Sequence, residues 1–402
     1  MKLPELLAPA GNSEKLRVAL HYGADAVYLG LSEFSLRAKS SSFSEPELQN
    51  AIKLIHSASK KAYVTINIFP HNRDIGLIKD HISFLAAASP DGVIISDIGV
   101  FELMTKLAPQ IPVHISTQAN ITNYQSARFW QRQGASRLVL SRELSIEEIS
   151  SIREQVSIEL ECFVHGSICI SYSGRCYISS FLANRAANEG LCTNSCRWQY
   201  TLMEEKRPGE YFPVYENQRG SYILSSKDLC MLSHLDKLYR AGINSFKIEG
   251  RIKGINYLSG VTGVYREAID SLSDIPYKVR ESWLHTLKMS SNRGFTTGMF
   301  LGEHPQSDYN HDSSEIYTAT HALIGIIRAV NPDGTGEVSL RNNLKAGNKI
   351  VCQIKNQQNT EFEVSNIKDI EGNEVISAHN EQTVVIQLPA KASVNDIIRR
   401  KS

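Results

Sequence analysis

The chain has 402 residues and a mass of 44.8 kDa, with 42% hydrophobic and 21% charged residues. That composition is globular, excludes a wholly disordered chain, and is too long for one ordinary domain. Lys and Arg (43) nearly balance Asp and Glu (42), a net charge of +1, so no global positive field marks a nucleic-acid binder, although a local basic groove stays open. The opening stretch is too short, too broken and too charged at Glu5 for a secretory signal, and no run suits a membrane-spanning helix. A cytoplasmic chain with no membrane partner is expected.

Residues 5–10 form the first predicted strand. Asn12 or Ser13 caps a helix running through Leu16, Ala19 and Leu20, Gly23 ends it, and 25–30 is the next strand. Further strands are predicted at 62–68, 92–96, 113–116, 137–140, 160–165 and 245–249, with helices such as 45–59 and 146–155 between them. Short buried-type strands alternating with helices predict parallel βαβ units, and eight of them is the count of a (β/α)8 TIM-type barrel. An open doubly wound sheet fits the periodicity almost as well. In a barrel the chemistry gathers where strands end. Asn67, Thr117 to Asn120, His165 and Glu249 to Arg251 occupy such places.

Between 166 and about 224 the rhythm breaks. Glycine, cysteine, arginine and aromatic residues interleave there, and we read a cysteine-rich insertion over about 162–230 inside an α/β barrel domain of residues 1–304. Residues 255–290 return to helical patterning, and 305–320 reads as a polar linker. From 321 to 402 strands alternate with turns: strands at 323–330, 337–340, 349–354, 361–367 and 383–388, turns at Asn331-Pro332-Asp333-Gly334 and around Gly372. A small antiparallel β-barrel is expected.

Seven cysteines in a reducing compartment argue against a disulfide framework. Cys162 and Cys352 lie in apolar strand patterns and read as core. Cys169, Cys176, Cys192, Cys196 and Cys230 are soft donors suited to zinc or an iron–sulfur cluster. Neither the paired C-x2-C knuckles of a zinc ribbon nor a C-x3-C-x2-C run occurs. Dispersed ligands are compatible with a four-iron cluster, and a nucleophilic cysteine with His165 as its base is a third reading. Arg185, Arg197 and Trp198 suit an anion or a stacked base, or are simply solvated.

Glu161-Cys162-Phe163-Val164-His165-Gly166-Ser167-Ile168-Cys169, followed by Ser173-Gly174-Arg175-Cys176 and Ser179, closely resembles the hallmark of the collagenase-like peptidase U32 family. Leu7-Ala8-Pro9-Ala10-Gly11, Ser116-Thr117-Gln118-Ala119-Asn120, Asn188-Glu189-Gly190-Leu191-Cys192, Ser226-Lys227-Asp228-Leu229-Cys230, Lys247-Ile248-Glu249-Gly250-Arg251 and Asn292-Arg293-Gly294-Phe295 also look like family positions, so the likeness spans nearly the whole chain. Pro208 to Pro213 and the C-terminal barrel are similar to the family's tRNA-hydroxylating branch. That resemblance implies formation of 5-hydroxyuridine at the wobble position of tRNA, with prephenate as co-substrate and a [4Fe-4S] cluster. Sister branches imply hydroxylation of a cytidine of 23S ribosomal RNA, or O2-independent ubiquinone synthesis. The four-cysteine site of the last carries over to Cys169, Cys176, Cys192 and Cys230, with Cys196 as an alternative third ligand.

On this reading the partners are a tRNA anticodon loop and an electron donor or partner protein. Hydroxylation at C5 of uracil calls for redox help that side chains do not supply. A dicarboxylate such as prephenate calls for Arg or Lys, with Arg251, Lys247 and Arg175 as candidates. His165 and Glu249 are candidate acid/base residues, and Gln118 and Asn120 candidates for reading a uracil edge. The family name implies proteolysis, yet the chain has neither an H-E-x-x-H helix nor a G-x-S-x-G elbow. Peptidase activity and a non-catalytic RNA-binding role are the alternatives from other classes.

Overall fold

A computed structural model describes residues 2–31, 34–35, 43–169, 171–198, 216–217, 220–221, 227–302 and 318–402. Most of the expected linker and the 208–213 stretch lie outside the described residues. The strands β1 (Glu5–Pro9), β2 (Ala26–Gly30), β3 (Lys61–Ile66), β4 (Gly92–Ile95), β5 (Val113–Ile115), β6 (Arg137–Val139) and β7 (Glu159–Ser167) pair in sequence order, all parallel. The insertion follows, with the short pair β8 (Glu216–Asn217) and β9 (Gly220–Ser221), then β10 (Asp228–Cys230). Strand β11 (Ser245–Ile248) then runs parallel to both β7 and β1. That double pairing closes an eight-stranded parallel barrel and rules out the open doubly wound sheet.

Helices α1 (Ser13–His21), α2 (Glu45–Ser57), α3 (Ile75–Ala88), α4 (Ile98–Leu107), α5 (Tyr124–Gln133) and α6 (Ile146–Gln155) alternate with the strands. Asn12 caps α1 by accepting from the Lys15 N–H at 2.9 Å, and Ser145 with Glu148 makes a capping box on α6. Such caps are each worth about 1 kcal/mol. Alternation along the strands sends Leu6, Ala8, Val27 and Leu29 outward against the helices, while Leu7, Ala26, Tyr28, Tyr63 and Ile94 form a small apolar cluster of their own.

Strand β7 runs to Ser167, past the predicted end at His165. The physical reason is β10, which pairs antiparallel with it: Cys230 opposite His165, Leu229 opposite Gly166, Asp228 opposite Ser167. Gly166 is therefore a strand residue rather than a sharp turn. Its φ is +110°, and a Cβ there would lie 2.6 Å from the Glu249 carbonyl oxygen, so glycine is needed. In the insertion lies α7 (Ile178–Ala183), and after it α8 (Leu235–Arg240), α9 (Ile255–Asp270), α10 (Glu281–Met289) and β12 (Phe295–Thr296).

The C-terminal strands are β13 (His321–Val330), β14 (Thr335–Leu340), β15 (Leu344–Lys345), β16 (Lys349–Gln353), β17 (Thr360–Glu363), β18 (Ile367–Lys368), β19 (Glu374–Val375), β20 (Ser377–Ala378), β21 (Thr383–Gln387) and β22 (Ile397–Lys401). Eight of them form one antiparallel sheet, ordered β17-β16-β22-β13-β14-β21-β18-β19, and β15 pairs with β20. It is a half-barrel, since β17 and β19 do not pair with each other. The predicted strand 361–367 divides into β17 and β18 around Val364, whose N–H donates to the Asn348 carbonyl.

This sheet is joined to α1 and α9. The Tyr22 hydroxyl donates to the Gln353 carbonyl (2.7 Å) and accepts from the Ile397 N–H (3.1 Å). The buried Arg399 donates to Asn256 and to the Ser259 hydroxyl. No described helix is long and apolar enough to cross a membrane.

Candidate functional site

A cavity of about 330 Å3 opens at the C-terminal ends of the barrel strands, large enough for a small metabolite or one extruded nucleobase. Barrel residues supply one side: Asn67 beyond β3, Gln118 beyond β5, Arg142 and Glu143 beyond β6, Glu249 and Arg251 beyond β11. The cysteine-rich insertion supplies the other, and Tyr28, Phe163 and Lys247 lie deeper in the barrel.

Specific contacts seat the insertion on the barrel. Gly174 has φ +76°, and a Cβ there would lie 2.5 Å from the Gln118 carbonyl oxygen, so only glycine lets the loop bearing Cys176 rest on the end of β5. The Ser173 N–H and hydroxyl donate to Glu143 at 2.6 and 3.2 Å. The Phe69 N–H donates to the Asn188 carbonyl, and Glu189 pairs with His71 and Arg73.

Cys169, Cys176, Cys192 and Cys196 all line the cavity. The Cys192 sulfur accepts from the Ser179 hydroxyl at 3.8 Å and from the Asn194 N–H at 3.4 Å. Cys230 is not on the cavity wall. It sits on β10 with its sulfur 3.8 Å from the Tyr265 hydroxyl, and burial pushes its thiol pKa up. Among the described residues no three His, Cys, Asp or Glu side chains are gathered at metal-holding distance. The donor chemistry nevertheless fits an iron–sulfur cluster: four cysteines line one cavity, and the Cys192 sulfur already accepts two hydrogen bonds.

The cations differ in how far they are engaged. Lys247 places its ammonium 2.9 Å from Glu161, over the Tyr28 and Phe163 rings. Glu161 also binds Arg137 at 3.0 Å, and Arg137 reaches Glu5 and Glu159, both at 2.7 Å. Burial opposes ionisation of Glu161, but Lys247 and Arg137 outweigh it and hold the carboxyl at about 2. Arg251 donates to the Thr65 hydroxyl at 3.0 Å and the Ser35 hydroxyl at 2.7 Å. Arg142 escaped the sequence analysis. Its guanidinium lies 4.2 Å from the centre of the Phe163 ring and donates to the Ser167 carbonyl, with no carboxylate partner among the described residues. The available signal was its place two residues beyond the predicted strand 137–140.

The other candidates separate. Gln118 is buried on the wall. Its Oε1 accepts from Asn67 (3.0 Å) and Ser116 (3.2 Å), and its Nε2 has no partner among the described residues. Glu249 lines the cavity. Asn120 donates to the Ser141 hydroxyl at 3.2 Å and is off the wall, as is the exposed Arg175. His165 is buried among Tyr257, Tyr265 and Phe295, its Nδ1 3.2 Å from the Tyr265 oxygen. Burial pushes its pKa down to about 4, so it is neutral at pH 7. No histidine lines the cavity among the described residues.

Residues 11–310 match the family described as Peptidase family U32, and residues 319–399 match the Peptidase family U32 C-terminal domain. The chain is 34% identical to "tRNA hydroxylation protein P" of Escherichia coli (strain K12), over 98% of this chain and 95% of that protein. It is 36% identical to "tRNA hydroxylation protein P1" of Bacillus subtilis (strain 168), over 99% and 95%. It is also 34% identical to "Collagenase" of Porphyromonas gingivalis, over 74% of each chain.

Proposed function

The chain belongs to peptidase family U32, and from that premise we propose that it is a tRNA hydroxylase that converts the wobble uridine to 5-hydroxyuridine. The observation that carries the reading is the wall of four cysteine sulfurs facing Gln118, Glu249 and the cationic residues Arg142, Lys247 and Arg251 across one cavity. Relatives named for tRNA hydroxylation align over both domains, which supports the same reading.

Cys169, Cys176 and Cys192, with Cys196 or Cys230, would hold a [4Fe-4S] cluster, which when bound supplies the electron transfer that hydroxylating an unactivated ring carbon demands. The remaining work falls to the chain. Gln118 meets one edge of an extruded uracil. Arg251 and Arg142 hold the carboxylates of prephenate, and Lys247 adds positive charge from the cavity floor. Glu249 is the acid/base group on the wall. His165 is a packing residue, because its ring is turned into the aromatic cluster between β7 and α9.

Proteolysis is the second reading, favoured by the collagenase relative. A cysteine peptidase needs an imidazole within hydrogen-bond reach of its thiol, and the described cavity wall has none. Mass spectrometry of nucleosides from total tRNA, with and without the gene, decides. Loss of 5-hydroxyuridine restored by a plasmid copy supports the proposal. Unchanged tRNA, with altered ribosomal 5-hydroxycytidine or quinones, moves the chain to a sister activity, and no change in any of them returns proteolysis to the front.

A further inference from the structure

The outer surface of the cysteine-rich insertion has a composition unlike the rest of the protein. Tyr172, Tyr177 and Phe181 are 65%, 71% and 79% exposed, and Trp198 is also exposed. Four of the six exposed Phe, Tyr and Trp side chains among the described residues fall in this short stretch. Open aromatic area of this kind costs solvation unless something covers it.

Local structure groups these rings. Tyr177 immediately precedes α7 and Phe181 lies one turn later, with the Phe181 N–H donating to the Tyr177 carbonyl, so both project from the same side. Trp198 closes the turn at 195–197. That turn is tied to α7 through Thr193, which donates from its N–H to the Ser179 hydroxyl at 3.2 Å and bonds Ser195 through its own hydroxyl. Tyr172 is both exposed and part of the cavity wall, so the aromatic surface begins at the cavity mouth.

Charge decides what covers it. Residues 169–198 carry Arg175, Arg185 and Arg197 and a single acid, Glu189, which is already paired with His71 and Arg73. Arg175 and Arg185 are exposed. Exposed rings interleaved with Arg175 and Arg185, which have no carboxylate partner among the described residues, match a single-stranded nucleic acid, whose bases offer π faces and whose backbone offers phosphates.

We propose that this surface is a stacking platform for the unpaired bases of an RNA loop, holding the nucleotides that flank the one inserted in the cavity. Tyr177 and Phe181 stack bases, Tyr172 guides the strand into the mouth, and Arg175 and Arg185 meet phosphates. The proposal rests on the tRNA reading above.

The test uses anaerobically purified full-length protein and a labelled anticodon stem-loop hairpin, with affinity read by fluorescence anisotropy at several salt concentrations. Tyr177→Ala with Phe181→Ala should raise Kd about tenfold or more, the scale of base–aromatic stacking. Tyr177→Phe with Phe181→Tyr should bind as the parent does, because the ring faces remain. Arg185→Ala should reduce the slope of log K against log salt by about 0.7, the single-strand value per phosphate contact. If the double alanine variant binds the hairpin and hydroxylates tRNA as the parent does, the platform is overturned while the tRNA reading stands. If the parent neither binds the hairpin nor supports any hydroxylated nucleoside, the tRNA reading falls and the platform with it. Binding of a gelatin peptide or of anionic vesicles that is lost in the double variant, with hairpin binding unchanged, would assign the surface to protein or membrane and overturn the proposal.

Discussion

The two halves of the barrel interior use charge in opposite ways. In the lower half Arg137, Glu5, Glu159, Glu161 and Lys247 close on one another, and the cationic groups are matched by carboxylates at 2.7–3.0 Å. At the mouth four thiols and Arg142 line open space, and Arg142 has no carboxylate partner among the described residues. Closed networks of this kind satisfy their charges within the fold, while side chains that line a cavity at the strand ends can meet a ligand. Lys247 belongs to both halves, paired below and facing the cavity above. The contrast teaches that charge alone does not identify a site in this protein; whether its partners are already present does.

Substitutions should divide along the same line. At the mouth, on the proposed [4Fe-4S] assignment, Cys169→Ser or Cys176→Ser should lower tRNA hydroxylation and the iron carried by the anaerobically purified protein by about 100-fold or more, since loss of a group that merely supports a metal ligand already costs about 10–100-fold. The unfolding free energy of the iron-free protein, from urea titration, should change by less than about 0.5 kcal/mol, as for positions outside the packed core. A variant with full iron content would break the division. In the lower half, Glu161→Leu should destabilise by about 3–5 kcal/mol in urea titration, because Arg137 and Lys247 keep their charges in a buried setting. A loss below about 1 kcal/mol would show the network to be dispensable.

Acid sharpens the comparison. The Glu161 carboxyl is held at about 2 against an ordinary 4.5. Its contribution to stability is complete above about pH 4.5 and is lost as pH falls toward 2, an effect of about 3 kcal/mol at 1.36 kcal/mol per unit. Unfolding midpoints of the parent and Glu161→Leu should therefore converge across that window. Parallel curves would place the shift elsewhere. The smallest effect expected is that of His165→Gln, which keeps a hydrogen bond to Tyr265. Activity should stay within about threefold with the same pH profile, since the ring is already neutral and off the cavity. Loss of the acidic limb would restore His165 as the base.

Much of this was legible in the sequence. The eight barrel strands show themselves because each is a short apolar run punctuated by a cap or a glycine, and Gln118, Glu249, Lys247 and Arg251 stand at or near strand ends where a barrel gathers chemistry. Closure was not legible, because the pairing of β11 with β1 joins residues some 240 positions apart, such as Glu5 and Ser245. Nor was β10, a three-residue strand at the edge of an unpatterned insertion, and without it His165 reads as a strand end rather than a packed ring. Spacing likewise could not tell that Cys196 reaches the cavity while Cys230 lies off it.

The Tyr22 hydroxyl links the two domains in both directions at once, donating to one C-terminal strand and accepting from another. With Arg399 on α9, Asp396 on His21, and Glu14 held by Arg328 and Arg341, the domains share bonds that need no peptide connection between them. A single proteolytic cut between Leu301 and Thr318 should therefore leave a nicked but undivided molecule. Its two fragments should co-elute in size-exclusion chromatography and melt in one transition, as the halves of one cooperative unit.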